Sequence, residues 1–588
     1  MLGGTGAANK ASRMLKRLIR QLIGSGVPAG SPVAEPELEP ALPQALALMR
    51  SRDYAEAVQL CEDLIARDAA APGPWELLGA IALERGEKEL ACERFETALG
   101  LAGDRLHAIC NAAEASRQAG HHARALELSA RALALDPGHG PAMHIRALTL
   151  QSFWRMNEAL AVYRCLVQQQ PDLSQAYAGY LFLMLLLGED PLAVRAAHCR
   201  WAEINAEPLR GLGAGCANEP DPQRRLRIGY VSADFRAHAA SSFIEPILAA
   251  HDPASFETYC YSSTEKIDAT TARLRALAAC WRDVRWQDDE AVASVVRADA
   301  IDILIDLSGH TSGNRLGVFA RKPAPVQIAY LGYPATTGMS AMDYRITDAR
   351  VDPPGASDGY YTERLLRLPH SLWCFRPPAS MPEPGPLPAL RSGQVTFGSL
   401  NSMLKLTPQM IALWARLLLS VPDSRLLIAA VPRGEARERI AAEFARHGVP
   451  VAALQMYGPM ELARFWDLHA EVDIGLDTYP YNGAATTCDA LWLGVPVVSL
   501  SGGLIWSGCG LSLLSTVGLP ELVAHTESDY LRIACELALD RERLSQLRLG
   551  LRQRMRGSPL LDERGFTRAL EALYRGAWRH WCEQAPHA

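Results

Sequence analysis

The segment Leu226-Arg-Ile-Gly-Tyr-Val-Ser232 marks the point at which the chain changes from helical repeats to alternating strands and helices. Such alternation is typical of a parallel, doubly wound sheet with helices on both faces. A Pro-rich stretch at residues 377–388 predicts a linker to a second sheet of the same kind. We therefore predict two α/β lobes, at residues 225–388 and 389–588, with a cleft between them. The apolar runs that predict strands lie at residues 227–231, 301–307, 325–331, 395–397, 425–429, 472–476 and 497–500.

Upstream of these lobes the sequence repeats itself every 34 residues. The recurring residues are Ala57, Ala91, Ala125 and Ala159, Gly86 and Gly120, Ala98 and Ala132, and Pro137 and Pro171. This period is typical of tetratricopeptide repeats, in which small residues let paired helices approach and glycine forms the turn between them. The spacing predicts about four units over residues 41–172, followed by capping or linking helices over residues 173–224. The concave face of such an array predicts a polypeptide ligand; its alternative use is as a surface for homo-oligomer assembly.

Composition limits the possible functions. At 588 residues the chain is too long for one hydrophobic core and predicts about three to four units. A net charge of -6 argues against a broad electrostatic contact with nucleic acid. The 13 cysteines are scattered, without a Cys-x-x-Cys pair, which favours reduced thiols in the cytoplasm over a disulfide framework or a zinc site. We find no apolar run long enough to span a membrane.

The first 40 residues predict a basic arm followed by a Gly/Pro-rich linker. Residues 10–23 interleave basic and apolar side chains in an amphipathic pattern that is compatible with contact with anionic lipid, although such a pattern more often belongs to a frayed basic arm. An arm that contacts nothing is the alternative interpretation of the same pattern.

Polar segments follow several of the predicted strands, at the edge where a doubly wound sheet binds its ligands. They span residues 234–242, 308–314, 332–338 and 477–489, and the last reads Asp477-Thr-Tyr-Pro-Tyr-Asn-Gly-Ala-Ala-Thr-Thr-Cys-Asp489. Gly483 permits close backbone approach, and Thr486 and Thr487 place hydroxyl donors at the start of a helix. The segment predicts a phosphate cradle, and a Thr-rich helix cap without a ligand is the alternative.

Two single residues are also candidates for the chemistry. Lys405 follows the first strand of the second lobe, where it would supply positive charge to a leaving diphosphate. His238 follows the first strand of the first lobe, where it would act as a base. Most lysines are surface charges and most loop histidines have no catalytic role, so neither residue decides the function by itself.

Together these segments resemble the O-GlcNAc transferase and SPINDLY family of protein O-glycosyltransferases. The resemblance covers residues 41–582 and is strongest at residues 226–232, 321–327, 332–338, 342–348 and 491–496. Several such motifs in the same order are highly specific. The resemblance implies an α-helical tetratricopeptide superhelix followed by an α/β GT-B fold, in which two Rossmann-like lobes carry parallel sheets. It also implies inverting transfer of a sugar from a nucleotide sugar to serine or threonine of proteins bound along the repeat groove.

The family's site residues carry over by position. His238 matches a histidine beside the acceptor that has been proposed as base, Asp299 matches a carboxylate suggested for proton relay, and Lys405 matches the lysine on the donor diphosphate. Thr486 matches a phosphate contact and Asp489 a ribose contact. The remaining residues implied at the donor are Gly332, Tyr333, Pro334 and Thr337 of the loop near the transferred sugar, and Asn401, Gly483 and Thr487. The family needs no metal or other cofactor, and we find no Asp-x-Asp pair in the sequence.

The sequence departs from both branches of this family. At residues 483–486 this chain reads Gly-Ala-Ala-Thr, whereas O-GlcNAc transferases have Gly-His-Thr-Thr and SPINDLY has a run of threonines. Asp302 stands where the O-GlcNAc transferases have a histidine. UDP-GlcNAc and GDP-fucose are therefore both candidate donors. The competing functions are a non-catalytic repeat adaptor whose donor site has decayed, a GT-B enzyme that acts on a glycan or small molecule, and a sugar epimerase or hydrolase on the same two lobes.

Overall fold

The computed structural model of the protein describes residues 41–211, 217–503 and 505–584. The predicted basic arm and linker, residues 1–40, lie outside the described residues. The chain divides into two compact units, one that ends at Ala176 and one that begins at Tyr177. Within the described ranges, no helix is both long enough and apolar enough to cross a membrane.

The described part of the first unit is an array of helical hairpins. Ala57, Ala91, Ala125 and Ala159, the alanines of the 34-residue repeat, are all completely buried, as close helix packing requires. The period also appears in the backbone, because the turn between paired helices is left-handed at Arg52, Gly86, Gly120 and Trp154, with φ of 67°, 79°, 90° and 57°. The helices are α1 (Ala41–Ser51), α2 (Tyr54–Arg67), α3 (Pro72–Glu84), α4 (Lys88–Ala102), α5 (Leu106–Ala119), α6 (His122–Leu135), α7 (Gly140–Ser152) and α8 (Met156–Gln169). The predicted helical repeat is confirmed.

A further hairpin follows in the same register. It consists of α9 (Ser174–Leu187) and α10 (Pro191–Asn205), and its turn residue Gly188 has φ of 71° at the next 34-residue position. Asp190 caps α10 by accepting hydrogen bonds from the N–H groups of Leu192 and Ala193, both at 3.0 Å. The region predicted as linking helices thus contains a hairpin of the repeat type, most of which belongs to the second unit.

The first lobe is built on a seven-stranded sheet in which every neighbouring pair is parallel, with the order β3-β2-β1-β4-β5-β6-β7. Its strands are β1 (Leu226–Ser232), β2 (Phe256–Ser262), β3 (Cys280–Asp283), β4 (Ile303–Asp306), β5 (Val326–Ala329), β6 (Tyr344–Asp348) and β7 (Arg364–Leu368). Its helices are α11 (Ser241–Ala250), α12 (Ala269–Leu277), α13 (Asp289–Ala298) and α14 (Leu316–Ala320).

The second lobe has a six-stranded parallel sheet with the order β10-β9-β8-β11-β12-β13. The strands are β8 (Thr396–Ser399), β9 (Arg425–Ile428), β10 (Leu454–Met456), β11 (Ile474–Leu476), β12 (Val497–Leu500) and β13 (Val523–Ala524). The helices are α15 (Ala389–Ser392), α16 (Pro408–Ser420), α17 (Glu435–Arg446), α18 (Leu462–Asp467), α19 (Ala485–Trp492), α20 (Cys509–Thr516), α21 (Glu527–Leu539) and α22 (Arg541–Arg556). The predicted two-lobed α/β architecture is confirmed.

The last helix returns to the first lobe. Leu570 and Trp578 of α23 (Glu563–Gln584) are completely buried in the same core as Leu226 and Ile228 of β1. The predicted second lobe, residues 389–588, therefore includes a helix that packs on the first. Sequence spacing could not show this, because the helix is amphipathic and its partner face is remote in the chain.

We expect Arg548→Leu to unfold the second lobe at a lower urea concentration. The Arg548 side chain lies on α22, is 1% exposed, and donates to the carbonyl oxygens of Gly385 (2.9 Å), Val472 (2.7 Å) and His469 (3.0 Å). Leucine would leave these buried acceptors without donors, which costs about 3 kcal/mol or more. Arg541→Leu, on the exposed face of the same helix, is the matched control. Equal urea midpoints for the two variants would contradict this role for Arg548.

Candidate active site

The two lobes touch at their ligand-binding edges. Asp348 is the last residue of β6, and its Oδ2 accepts a hydrogen bond from Ser512 Oγ of α20 at 2.7 Å. Because all strands of each sheet run in the same direction, the loops that follow them meet at this edge. The four polar segments that the sequence singled out lie in these loops. The single candidate Asp299 does not.

The second lobe's loop after β11 is organised by one buried carboxylate, Asp477, which is 1% exposed. Its Oδ1 accepts hydrogen bonds from the N–H groups of Thr478 (2.9 Å) and Gly483 (2.8 Å) and from Asn401 Nδ2 (3.1 Å). Its Oδ2 accepts from Ser499 Oγ at 2.7 Å. Burial raises the pKa of Asp477, while these hydrogen bonds and the Lys405 charge lower it. The carboxylate thereby joins the loops after β8 and β11 and the end of β12.

Lys405 lies over this loop. Its Nζ donates to the carbonyl oxygen of Asn482 at 2.8 Å, is 3.5 Å from Asn401 Oδ1, and stands 4.7 Å from the centre of the Tyr481 ring. Burial lowers the pKa of Lys405, and the nearby Asp477 opposes that shift. The ammonium group is thus held among neutral acceptors and an aromatic face, with Asp477 as a nearby countercharge, a setting that favours an added anion.

The start of α19 completes the cradle. The first hydrogen bond of its helical ladder runs from Cys488 N–H to the Ala484 carbonyl at 3.0 Å, so the N–H groups of residues 485–487 are not used within the helix. Thr486 Oγ1 donates to Asn401 Oδ1 at 2.8 Å and is partly exposed. Thr487 Oγ1 instead donates back to the Gly483 carbonyl at 3.1 Å and is buried. Of the two predicted donor threonines, the structure places only Thr486 beside Asn401.

Glycine is required at position 483 because its neighbours approach closely. A Cβ atom there would lie 2.4 Å from Thr486 Oγ1 and 2.8 Å from Asn401 Oδ1. Any side chain would displace Thr486 and Asn401. The structure thus brings Asn401, Lys405, Gly483 and Thr486 together at one site.

Asp489 lies one turn further along α19. Its Oδ2 accepts a hydrogen bond from Trp466 Nε1 of α18 at 3.4 Å. Burial raises the pKa of this carboxyl group to about 7, and the Trp466 hydrogen bond only partly opposes the shift. The free protein therefore holds a carboxyl group that is half protonated near neutral pH.

In the first lobe, His238 lies in the loop after β1, and a quarter of its side chain is exposed. Its Nδ1 accepts a hydrogen bond from Ala240 N–H at 3.3 Å and is 3.8 Å from Asp234 Oδ2. Burial lowers the pKa of His238 and the Asp234 charge raises it. In the neutral ring this arrangement puts the proton on Nε2. Removal of an acceptor proton through Nε2 therefore requires the other tautomer.

Asp299 is not brought together with His238. It caps the end of α13 that precedes β4, at the amino ends of the strands, whereas His238 follows the carboxyl end of β1. Its carboxylate pairs with Arg282 at 2.5 Å and accepts a hydrogen bond from Tyr261 Oη at 2.8 Å. The neighbouring Asp302 is fully buried and accepts from Arg227 N–H at 2.8 Å. Both carboxylates thus stabilise the first lobe's sheet at the amino ends of its strands, away from the loops that follow the strands.

The loop of residues 332–338 follows β5 and is packed closely against the β4 loop. A Cβ atom at Gly332 would lie 2.0 Å from the carbonyl oxygen of Leu307. Gly332 and Pro334 are partly exposed, whereas Tyr333 and Thr337 are buried. The last two side chains, which the resemblance implied at the donor, therefore point into the lobe and hold the loop.

The partners of these inward side chains did not emerge from the sequence. Tyr333 Oη lies 2.8 Å from Nε2 of His198 on α10, and the His198 Nδ1–H donates to the Val194 carbonyl at 2.7 Å. Thr337 N–H donates to Glu363 Oε1 at 2.6 Å, and Glu363 is 4% exposed. Both His198 and Glu363 stand outside any motif that indicates chemistry, so only the fold reveals their connection to the loop.

No group of three or more histidine, cysteine, aspartate or glutamate side chains that could hold a metal ion occurs in the part of the chain that the structure describes. The site around Lys405 offers a lysine and a helix N-terminus, and these favour a phosphate group.

Comparison with known proteins agrees with this arrangement. A family model described as glycosyl transferase family 41 matches residues 216–375 and 388–570. The chain is 43% identical over 374 residues to a Petunia hybrida protein named probable UDP-N-acetylglucosamine–peptide N-acetylglucosaminyltransferase SPINDLY, and 41% identical over 377 residues to the Arabidopsis thaliana protein of that name. These matches cover 62% of this chain but only 40% and 41% of the relatives, so the chain spans about two fifths of their length.

A solved structure of a Thermobaculum terrenum O-GlcNAc transferase variant is 36% identical to this chain, with a TM-score of 0.82. That match covers 88% of this chain and 99% of the other. Two lobes with parallel sheets, which meet at the edge where the loops after the strands gather, define a protein of the GT-B class. The family model matches more than half of the residues, and the chain belongs to glycosyl transferase family 41.

We expect Asp489→Asn to stabilise the protein at pH 8 and to leave its stability unchanged near pH 4. Because folding raises the pKa of Asp489, the folded state keeps a proton that the unfolded state releases, and the wild type loses stability as pH rises from about 4 to about 7. Asparagine does not ionise and avoids that loss. Urea unfolding at the two pH values measures the difference.

The matched control is Asp467→Asn, at an exposed carboxylate that ends α18. It is expected to behave like the wild type at both pH values. If Asp489→Asn and the wild type unfold at the same urea concentration at pH 8, Asp489 is not held protonated by the fold.

Proposed function

We propose that this protein transfers a sugar from a nucleotide sugar to serine or threonine hydroxyl groups of proteins. The observation that carries the proposal is the cradle, in which Lys405, Asn401 and Thr486 converge at the free N–H groups of α19. Membership in glycosyl transferase family 41 and the names of the relatives support it. An adaptor with a decayed donor site would have no reason to retain a lysine whose ammonium group is held in this position.

The cradle suits a leaving nucleoside diphosphate. In a single displacement, the acceptor oxygen bonds to the anomeric carbon as the bond from that carbon to the diphosphate oxygen breaks. The anomeric centre is thereby inverted. The electron pair goes to the diphosphate, where Lys405 and the α19 N-terminus stabilise the new charge, each donor contributing a few kcal/mol. We propose that no metal or other cofactor takes part.

The acceptor proton must leave during this step. We assign its removal to His238 in the loop after β1, in the tautomer that carries its proton on Nδ1, 3.8 Å from Asp234 Oδ2, and leaves Nε2 free to accept. The lowered pKa keeps its imidazole neutral at pH 7, as a base requires. Asp299, the alternative, lies at the other end of the sheet with its carboxylate paired to Arg282.

The donor is UDP-GlcNAc or GDP-fucose. The names of the relatives favour UDP-GlcNAc, whereas Ala484 and Ala485 replace polar residues found in both branches that the sequence resembles. Asp489 is the residue that we assign to the ribose, since an ionised carboxylate accepts hydrogen bonds from sugar hydroxyls. The raised pKa of Asp489 then makes nucleotide binding release a proton near pH 7.

We propose that the acceptor proteins bind along the helical repeat array, whose hairpins form the first unit. The cytoplasm is the location that we propose, since no disulfide joins the described cysteines, most of which are buried, and thiols persist in a reducing compartment. We propose no contact with nucleic acid. Assembly of a homo-oligomer through the repeats is the alternative use of the array.

Lys405→Ala is expected to reduce turnover by about 100-fold or more, because it removes the only side-chain cation that we assign to the leaving diphosphate. Release of UDP or GDP from the nucleotide sugar, with cell lysate as acceptor, is the measurement. Arg446→Ala, at an exposed cation that ends α17 in the same lobe, is the matched control. Turnover within threefold of wild type in Lys405→Ala would exclude the assigned role.

The donor is identified by incubating the purified protein separately with UDP-GlcNAc and with GDP-fucose. We expect one of them to raise the melting temperature, because a ligand that binds only the folded state stabilises it, and to be consumed. Mass spectrometry of the lysate proteins should then show the sugar on serine or threonine. No thermal shift with either donor, or with UDP or GDP, would favour the non-catalytic adaptor. A sugar found only on glycans or small molecules would favour a GT-B enzyme that acts on those acceptors.

A further inference from the structure

A buried cation lies beneath the loop of residues 332–338. Arg345, the second residue of β6, is 6% exposed. Its Nη1 donates to the carbonyl oxygen of Ala335 at 2.9 Å and its Nη2 to that of Tyr333 at 2.6 Å. The planar guanidinium group therefore fixes two carbonyl groups of the loop at once, a geometry that a lysine cannot reproduce.

The position of Arg345 costs stability. Its buried Nε–H has no hydrogen-bond partner, and a buried donor without an acceptor is unfavourable by about 1–3 kcal/mol. Arginine is also rare in the interior of a parallel sheet, where apolar side chains are the rule. A buried group that is imperfectly satisfied in this way points to a role beyond packing.

An anion holds the same loop from its other side. Glu363, which immediately precedes β7, accepts hydrogen bonds from Thr336 Oγ1 and Thr337 N–H, both at 2.6 Å, and from the Thr337 hydroxyl. Arg345 thus binds the loop's carbonyl groups and Glu363 binds its N–H and hydroxyl groups. The positive charge of Arg345 on β6 and the negative charge of Glu363 just before β7 leave the loop little conformational freedom.

The strand that carries Arg345 reaches the second lobe, because Asp348 at the end of β6 accepts a hydrogen bond from Ser512 Oγ at 2.7 Å. Burial raises the pKa of Tyr333 in the loop and of Tyr481 in the second lobe, and the Arg345 charge opposes both shifts. The Tyr481 ring is the one that faces the Lys405 ammonium group. The loop and the strand beneath it therefore lie at the edge where the two lobes meet.

We propose that Arg345 is a positioning residue for the transfer step: it holds the loop of residues 332–338 in the orientation that places the donor sugar for attack. The inference rests on the proposed function, because the loop acts on a sugar only if a nucleotide sugar occupies the cradle. The guanidinium group does not touch the donor. It acts through the backbone carbonyl groups of Tyr333 and Ala335.

The test compares Arg345→Lys with Arg345→Gln. Lysine keeps the charge and loses the two-pronged contact, so a positioning role predicts that both variants lose kcat by about 100-fold, the effect of a misplacement of about 1 Å. A charge effect alone would spare Arg345→Lys. The KM for the donor and the Kd for free UDP or GDP should stay within threefold, since the cradle lies in the other lobe. Arg345→Lys with a kcat within threefold of wild type overturns the proposal.

Arg364→Lys is the matched control, because Arg364 lies beside Arg345's strand on β7 and stacks on Tyr344 at 5.7 Å. It should retain wild-type kcat. Arg345 and Glu363 together form a clamp on the loop of residues 332–338. If Arg345→Lys does not fold, Glu363→Gln tests this clamp from the side of the anion and should lower kcat with donor KM unchanged.

Hydrogen exchange separates this proposal from the proposed function. The amides of residues 333–338 should exchange faster in Arg345→Lys than in the wild type and the control, whether or not the protein turns over any donor. If the wild type shows no transferase activity but Arg345→Lys still exchanges faster than the wild type, the proposed function is refuted, while the role of Arg345 in holding the loop is supported. Unchanged exchange together with unchanged kcat would refute the clamp.

Discussion

The four hydrogen bonds that Asp477 accepts inside the second lobe hold together the parts of the cradle that we assign to the donor. They join the turn at Gly483, the loop that carries Asn401 and the end of β12 around one carboxylate. Only a group with several acceptor sites can satisfy donors from three segments at once. Asn401 can then receive the Thr486 hydroxyl and stand near the Lys405 ammonium group. Each residue assigned to the phosphate is therefore indirectly fixed by Asp477.

The first lobe uses buried charge in a similar way. Arg345 and Glu363 hold the loop of residues 332–338 as Asp477 holds the cradle, and each of these groups is more than nine-tenths buried. Burying charge is costly unless it is compensated by hydrogen bonds. The structure concentrates such groups at the edge where the lobes meet, and the raised pKa of Asp489 adds to the cost. A protein that fixes polar groups in advance at a binding site usually has a lower folding stability as a result.

The sequence predicted the features that depend on regular patterns. The 34-residue period gave the helical hairpins, and apolar runs gave seven of the thirteen strands. Strand β6, Tyr-Arg-Ile-Thr-Asp, was missed because three of its five residues are polar, and it is nevertheless wholly buried. Its Arg345 and Asp348 bind groups that are distant in the sequence. Hydrophobic patterning cannot reveal a strand whose polar side chains are satisfied by tertiary contacts.

The site was predicted in the same uneven way. Gly483, Thr486 and Lys405 followed from a recognisable segment and a strand-end position. Thr487 carries the same hydroxyl group as Thr486, yet one residue of helical rotation turns it back onto the Gly483 carbonyl.

The central claim is that the cradle binds the diphosphate of a nucleotide donor, and a crystal structure of the protein with bound UDP or GDP tests it most directly. The account predicts the terminal phosphate at the N-terminus of α19, within hydrogen-bond distance of Lys405 Nζ and Thr486 Oγ1. A nucleotide bound elsewhere, or bound here with its phosphates turned away from Lys405, would contradict it.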